Sequence, residues 1–348
     1  MTTYLCTLGL VLLSFKLNFF NKRKKNRFAV CVFCCALLII VAGFRYFVGT
    51  DYGNYLYDYQ QITQNGFRLS FLSQPALPLL ALFCNRLGFG YELWFFLLSC
   101  ITIIPVFLVI YRIDTPVYFP IVFFLFLGCW HQSFNLVRQT AAASIIFYGY
   151  FFLKDKRFFK WALCCVVASF FHITAILMIP IYFFATRKTS PLLVFVMCSF
   201  GIIFLFSYEH LFSLAEMLKQ GVAVVRSGSA TKENSVNILR VLVQCCPLLL
   251  YLFVKESSDV KNKENPVLLN MSLINAVLSI CSMGSIYLFR FCLYTNIFNV
   301  LFISKLMEAL KKRNKVVLVV VVVLYLSFWI YDLYKDPATN VYRWIFGK

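Results

Sequence analysis

The chain has 348 residues, 61% of them hydrophobic and only 14% charged, with a mean hydropathy of +0.79. A soluble domain carries about 25% charged residues, so an ordinary soluble enzyme is excluded, and continuous apolar runs without alternation exclude a β-barrel. The net charge of +19 is not a nucleic-acid signal, because the basic residues gather in short loops between apolar runs, as the positive-inside rule describes.

The first run, residues 2–20, reads as a membrane helix and not a cleavable signal, since no basic region precedes it and Lys16 lies near its end. Lys22, Arg23, Lys24, Lys25 and Arg27 follow it. That cluster is placed in the cytoplasm together with Lys154, Lys156 and Arg157, and with Lys311, Lys312, Arg313 and Lys315. Membrane lipids with anionic head groups are the expected partners there. Further spans are predicted over 28–47, 91–111, 117–130, 133–153, 191–208, 236–254, 266–286, 288–304 and 316–333.

Two runs need a separate argument. Residues 71–87 are interrupted by Pro75, Pro78, Asn85 and Arg86, and residues 158–184 are longer than one span, with His172 near the middle. A full crossing by 71–87 would export Lys154–Arg157, so it is read as an interfacial or re-entrant helix. A single pass by 158–184 would export Arg187, Lys188 and later Lys311–Lys315. Two half-helices turning near His172 keep all of them inside, and broken helices commonly build substrate sites. The expected fold is all-α and polytopic, one integral membrane domain over 1–348 with about ten to twelve membrane segments. Outer loops are expected at 49–74 and 209–235, the latter with a flexible Ser227-Gly228-Ser229 stretch, and the tail 335–348 is also expected outside.

Four ionisable residues lie inside or at the edge of apolar runs: Arg45, Arg138, His172 and Arg290. An arginine at a helix centre costs roughly 2.5–3.5 kcal/mol on insertion scales, so such residues default to a functional reading. Three guanidinium groups and an imidazole suit an anionic, phosphorylated ligand. On the expected topology all four fall in the outer half of the membrane. The competing reading is ordinary: arginines snorkelling to head groups and a histidine satisfied in the core. His131 and His210 are read as interfacial residues without a role. The fourteen cysteines lie mostly within apolar runs and form no CxxC spacing, so they are packing residues and not metal ligands. No required metal or cofactor is expected.

Asn135-Leu136-Val137-Arg138-Gln139-Thr140-Ala141-Ala142 is followed by an apolar helix, the basic turn Lys154–Arg157, and Ala168-Ser169-Phe170-Phe171-His172-Ile173-Thr174-Ala175 before Pro180. This order resembles the EpsG family of bacterial polysaccharide polymerases, which is related in function to the Wzy polymerases. Arg45-Tyr46, Gly49-Thr50-Asp51-Tyr52 and Tyr55 look like that family's first outer loop. Arg290-Phe291 and Tyr294 are similar, more loosely, to a later arginine–tyrosine element. A GT-C-like helical arrangement is among those open to it.

The resemblance implies a glycosyltransferase at the outer face of the bacterial cytoplasmic membrane, joining undecaprenyl-pyrophosphate-linked oligosaccharide repeat units into capsule, exopolysaccharide or O-antigen. On that reading Arg138, with Arg45 and Arg290, binds the pyrophosphate and stabilises its leaving charge. His172 or Asp51 takes the acceptor proton. Asn135 and Gln139, helical neighbours of Arg138 by spacing, orient sugar or phosphate oxygens, and Tyr52, Tyr55 and Tyr294 suit sugar faces. A flippase and a chain-length regulator are the partners it implies. The alternatives are a lipid-linked oligosaccharide flippase or transporter, a membrane O-acyltransferase, and a transferase using a single-sugar polyprenyl phosphate.

Overall fold

The computed structural model describes residues 1–19, 24–68, 74–192, 194–199, 201–203, 236–254, 266–284 and 286–347. The expected loop 209–235, with His210 and the Ser227–Ser229 stretch, lies outside them. The elements are helical: α1 (Thr2–Phe19), α2 (Lys24–Gly43), α3 (Tyr52–Asn65), α4 (Ala76–Arg86), α5 (Tyr91–Arg112), α6 (Tyr118–Phe126), α7 (Val137–Tyr148), α8 (Tyr150–Lys154), α9 (Phe158–Ser169), α10 (Ile181–Ala185), α11 (Ile238–Val254), α12 (Pro266–Cys281), α13 (Ile286–Arg313), α14 (Lys315–Lys335) and α15 (Pro337–Asn340). Short 3-10 turns occupy His131–Phe134 and Ile173–Met178. No strand occurs among the described residues; the one isolated bridge there joins Arg45 to Trp344.

The long helix α13 is the axis, and α6, α7, α11, α12 and α14 pack around it. Its interior is polar in places, and some of these groups fix neighbouring helices. Thr295 donates to Asn275 Oδ1 at 2.9 Å, and Asn275 donates to Gln244 Oε1 at 2.7 Å, which ties α13 to α12 and α11. Helix α5 completes the body against α2 and α7.

Two helices, α5 and α14, are long and apolar enough to cross a membrane. Helix α14 starts where Asn314 Oδ1 accepts from the amides of Val316 and Val317, satisfying two of the donors a helix start leaves open. It buries Val321, Tyr325, Trp329 and Leu333 at four-residue spacing while exposing Val316, Val319, Val320, Val323 and Leu324. Exposed apolar faces also run along α1 (Leu5, Leu12, Leu13, Leu17) and α11 (Ile238, Leu242, Leu249, Leu252). Such faces are unfavourable against water and fit a membrane protein.

The two unusual runs resolve into short pieces. Helix α4 has 11 residues, about 16 Å of rise against a hydrocarbon core of about 30 Å, so it is too short to cross. The run 158–184 breaks where expected: α9 ends at Ser169, His172 is extended at φ −150°, and the chain folds back. Trp161 Nε1 donates to the Met178 carbonyl at 3.1 Å, and the Phe158 ring lies 5.1 Å from that of Tyr182, which closes the hairpin. Its turn is tied to α4 by the Ala76 amide donating to the Phe170 carbonyl. The expected span 117–130 differs. Its helix, α6, has nine residues, and the chain then turns at Gly128, where φ is +79°, a backbone region glycine enters without strain. Nearly all of its side chains are buried, so it packs inside the bundle, between the end marked by Lys311 at Tyr118 and the end marked by Arg45 at Phe134.

Basic residues mark one end of the bundle. Arg27 donates to the carbonyls of Ile110 and Ile113, Arg112 to the Tyr148 hydroxyl at 3.3 Å, Lys311 to the Tyr118 hydroxyl at 2.9 Å and Arg313 to the Phe253 carbonyl at 3.2 Å. At the opposite end the tail 336–347 folds over the loop 44–51.

Candidate functional site

Helix α7 begins directly after the 3-10 turn His131–Phe134, which puts Arg138 and Gln139 in its first turn. Tyr55 and Asp58, one turn apart on α3, meet them from the side. Arg138 Nη2 reaches Asp58 Oδ2 at 3.4 Å, and the guanidinium lies 5.5 Å from the centroid of the buried Tyr55 ring. The side chains of the ion pair are 42% and 45% exposed, so this part of the site is open.

Gln139 is buried and donates through Nε2 to the Arg290 carbonyl at 2.7 Å, joining α7 to α13. It also bonds the Tyr294 hydroxyl. Tyr294, one turn after Arg290 on α13, is fully buried, and its hydroxyl sits 3.1 Å from His172 Nδ1 and 2.9 Å from Thr174 Oγ1. Thr174 Oγ1 is 2.7 Å from the same Nδ1. Two hydroxyls thus hold one imidazole nitrogen, while Nε2 has no hydrogen-bond partner among the described residues. Arg138 and Arg290 both lie within electrostatic range of the imidazole. Arg138, Gln139, His172, Arg290, Tyr294 and Tyr55 are therefore one cluster, assembled from α3, α7, the His172 turn and the start of α13.

The other sequence-predicted residues lie apart from this group. Arg45 is 2% exposed. It donates to the carbonyls of Ala42 and Phe134, the latter at 3.3 Å, and its guanidinium is ringed by Phe95, Phe134 and Tyr52 with centroids at 5.0, 5.1 and 5.8 Å. That is the environment of a packing pin: charge spread over aromatic faces and bound to backbone. Tyr52 is fully buried and stacks on Phe95 at 4.6 Å. Asn135 accepts from the Thr50 amide at 2.6 Å and donates to Asp336 at 3.3 Å, joining loop, α7 and tail. Gly49 makes this possible. Its φ is +102°, and a Cβ there would stand 2.8 Å from the Phe134 carbonyl oxygen. Asp51 precedes α3 without capping it through its side chain, and makes no hydrogen bond or ion pair with the described residues of the cluster.

Burial raises the Asp58 carboxyl above the usual carboxylate value, and Arg138 opposes that rise. Burial likewise raises the Tyr55 phenol, again against Arg138. Chemically, the cluster offers cationic groups for an anion, an imidazole nitrogen without a bonded partner and a carboxylate at the rim. Among the described residues no three His, Cys, Asp or Glu side chains come together to hold a metal ion. Asp58 and Thr174 are the residues that sequence reasoning passed over. Asp58 falls within the expected outer loop 49–74 and is given no role there, although its three-residue offset from Tyr55 puts both on one helix face. Thr174 stands inside the histidine motif but is given no role of its own.

The EpsG family model matches residues 28–345 of the chain. No curated protein matches it, and no solved structure does.

Proposed function

The chain belongs to the EpsG family, a family of polysaccharide-polymerase-like membrane proteins, and from that premise we propose that it polymerises lipid-linked oligosaccharide repeat units into a surface polysaccharide at the outer face of the bacterial cytoplasmic membrane. The observation that carries the reading is the convergence of Arg138, His172 and Arg290, from three separate stretches of chain, on one open cluster. Apolar faces exposed on α1, α11 and α14, with basic side chains collected at the far end of the bundle, support a multi-pass protein whose cluster faces away from the cytoplasm.

In this mechanism an acceptor sugar hydroxyl attacks the anomeric carbon of the lipid-linked glycan. The bond from that carbon to the pyrophosphate oxygen breaks, and the oxygen keeps the electron pair. Arg138 and Arg290 stabilise the charge that develops on it. His172 Nε2 takes the hydroxyl proton, with Nδ1 held by Thr174 and Tyr294 so that the ring cannot turn. The buried Tyr55 ring backs the Arg138 guanidinium, and Gln139 ties α7 to α13 beside Arg290.

The test is direct. Purified protein in nanodiscs, given its own organism's undecaprenyl-pyrophosphate repeat unit, is expected to yield a ladder of multiples on a gel, and Arg138→Ala and His172→Ala are each expected to abolish it. Activity surviving both substitutions overturns the scheme. Unchanged monomer from folded wild-type protein would move the reading to translocation, to be followed in a liposome flipping assay.

A further inference from the structure

Among the described residues, Asp58 is the acidic group that forms an ion pair with the cluster. Its contact with Arg138 is single and long, 3.4 Å from one nitrogen to one oxygen, where a committed arginine–carboxylate pair makes two parallel bonds of under 3 Å. The contact is also half open to solvent, and exposed pairs of this kind are weak and exchangeable. Yet α3 does not present Asp58 loosely. Tyr52, Tyr55, Tyr59 and Ile62 bury one face of the helix, Tyr52 is stacked on Phe95, and the Tyr59 hydroxyl donates to the Phe89 carbonyl at 3.1 Å. A rigid helix thus holds a carboxylate against the guanidinium in a geometry that a better anion can outcompete.

We infer that Asp58 sets the entry threshold of this anion site: it pairs with Arg138, and a ligand phosphate must displace it. This rests on the reading of Arg138 as a phosphate-binding group. A ligand bearing one diffuse charge replaces the carboxylate with no electrostatic gain. A pyrophosphate brings more charge and can bridge both forks of the guanidinium, so it displaces Asp58 with a net gain. The carboxylate therefore raises the threshold for entry to Arg138, which a weakly bound singly charged head group does not clear and a polyphosphorylated lipid end does. The raised affinity of Asp58 for a proton agrees with this, since a carboxylate with one weak partner in a half-buried place gives that partner up readily.

The experiment measures binding of farnesyl pyrophosphate, a short soluble prenyl pyrophosphate, to the full-length protein in detergent. Wild type, Asp58→Asn, Arg138→Ala and the double variant complete a cycle. Asp58→Asn is expected to bind about two- to fivefold tighter, the scale of an exposed ion pair removed from competition. Arg138→Ala is expected to bind at least about tenfold weaker, the scale of a lost charge-assisted hydrogen bond. In the Arg138→Ala background the Asp58 substitution is expected to change nothing. Dodecyl phosphocholine, whose head group carries one phosphate charge beside a cation, is expected to bind wild type more weakly and to tighten by about the same factor on Asp58→Asn, because the contact displaced is the same. Loss of binding in Arg138→Ala with no tightening in Asp58→Asn overturns this inference alone. Unchanged binding in Arg138→Ala overturns both the inference and the phosphate reading beneath it.

Discussion

His131 Nε2 lies 3.0 Å from Asp332 Oδ2, across 201 residues of chain, and Arg240 takes the other oxygen of the same carboxylate. Asp332 is on α14, Arg240 on α11, and His131 in the turn that precedes α7, so one buried carboxylate joins three parts of the bundle. Removing one partner of a fully buried ion pair costs about 3–5 kcal/mol, and less here, because the Arg240 side chain left behind is 34% exposed. Asp332→Ala is therefore expected to lower the Tm in detergent by several degrees and to loosen α11. Thermal unfolding followed by circular dichroism checks it, and an unchanged Tm would show that the three groups do not act together.

Arg45 predicts a different phenotype from Arg138. Its guanidinium is enclosed by Tyr52, Phe95 and Phe134 and bonded to carbonyls, and lysine cannot reproduce either the planar stack or the forked donors. Arg45→Lys is expected to cost about 2 kcal/mol of stability, the scale of a desolvated cation–π contact. It is also expected to release the tail that pairs with this loop through the Tyr46 amide and Arg343 carbonyl, making Arg343 and Lys335 sensitive to trypsin. Intact stability with lost pyrophosphate binding would instead return Arg45 to the ligand site.

Thr174 is a positioning residue in the proposed chemistry. With its hydroxyl 2.7 Å from His172 Nδ1, Thr174→Val removes one of two bonds holding the ring and keeps the shape of the side chain. A hydrogen bond of about 1 kcal/mol corresponds to about a fivefold fall in kcat, with KM unchanged. Thr174→Ser is expected to restore it. Equal losses from Val and Ser would show that packing, not the hydroxyl, matters.

Asp58 carries a pH signature. Its carboxyl is raised in the folded state, chiefly by burial, so the folded protein holds that proton more tightly than the unfolded chain does. The associated stability is present below the ordinary carboxylate value and is lost as pH rises through the raised one. Asp58→Asn removes that loss. At neutral pH its Tm is expected to match or slightly exceed that of wild type, with the difference vanishing in acid. A clear drop in Tm at pH 7 would mean that the pair with Arg138 holds α3 in place.

These residues also mark how far the sequence could be read. The break at His172 was legible because an apolar run longer than a span had to respect the charges flanking it. Arg138, Gln139, His172 and, more loosely, Arg290 and Tyr294 stand in stretches that resemble the EpsG family, and the structure brings them together. The partner of Arg138 was not legible: Asp58 lies 80 residues away, and nothing in a local pattern fixes which face of α3 meets α7. An arginine at the end of a helix, like Arg45, reads equally well as a ligand group or as a pin, since burial decides and burial is tertiary. His131 looked interfacial for the same reason, its carboxylate partner being near the other end of the chain. Residues 117–130 read as one continuous helix because composition does not show where a buried helix ends; only Gly128 hinted at the turn.

Gly149 tests whether the His172 hairpin is set by packing behind it. A Cβ at that position would stand 2.9 Å from both the Ile146 carbonyl oxygen and Trp161 Cε3, closer than such atoms approach, so the absence of a side chain is what lets the α7–α8 bend receive Trp161. Trp161 in turn holds the hairpin closed through the Met178 carbonyl. Gly149→Val must push the indole away, and overpacking of this kind costs about 1–3 kcal/mol. Because the hairpin carries His172, the displaced indole is expected to reduce polymerisation as well as Tm, although residue 149 meets Trp161 in the first turns of α9 and the imidazole turn follows its end. Trp161→Phe in the Gly149→Val background makes room for the new side chain at the loss of the indole donor, and is expected to recover part of the activity. If Gly149→Val lowers Tm while leaving polymerisation intact, the position of His172 does not depend on the hairpin's packing, and the geometry of the turn is held from the α13 side by Tyr294 alone.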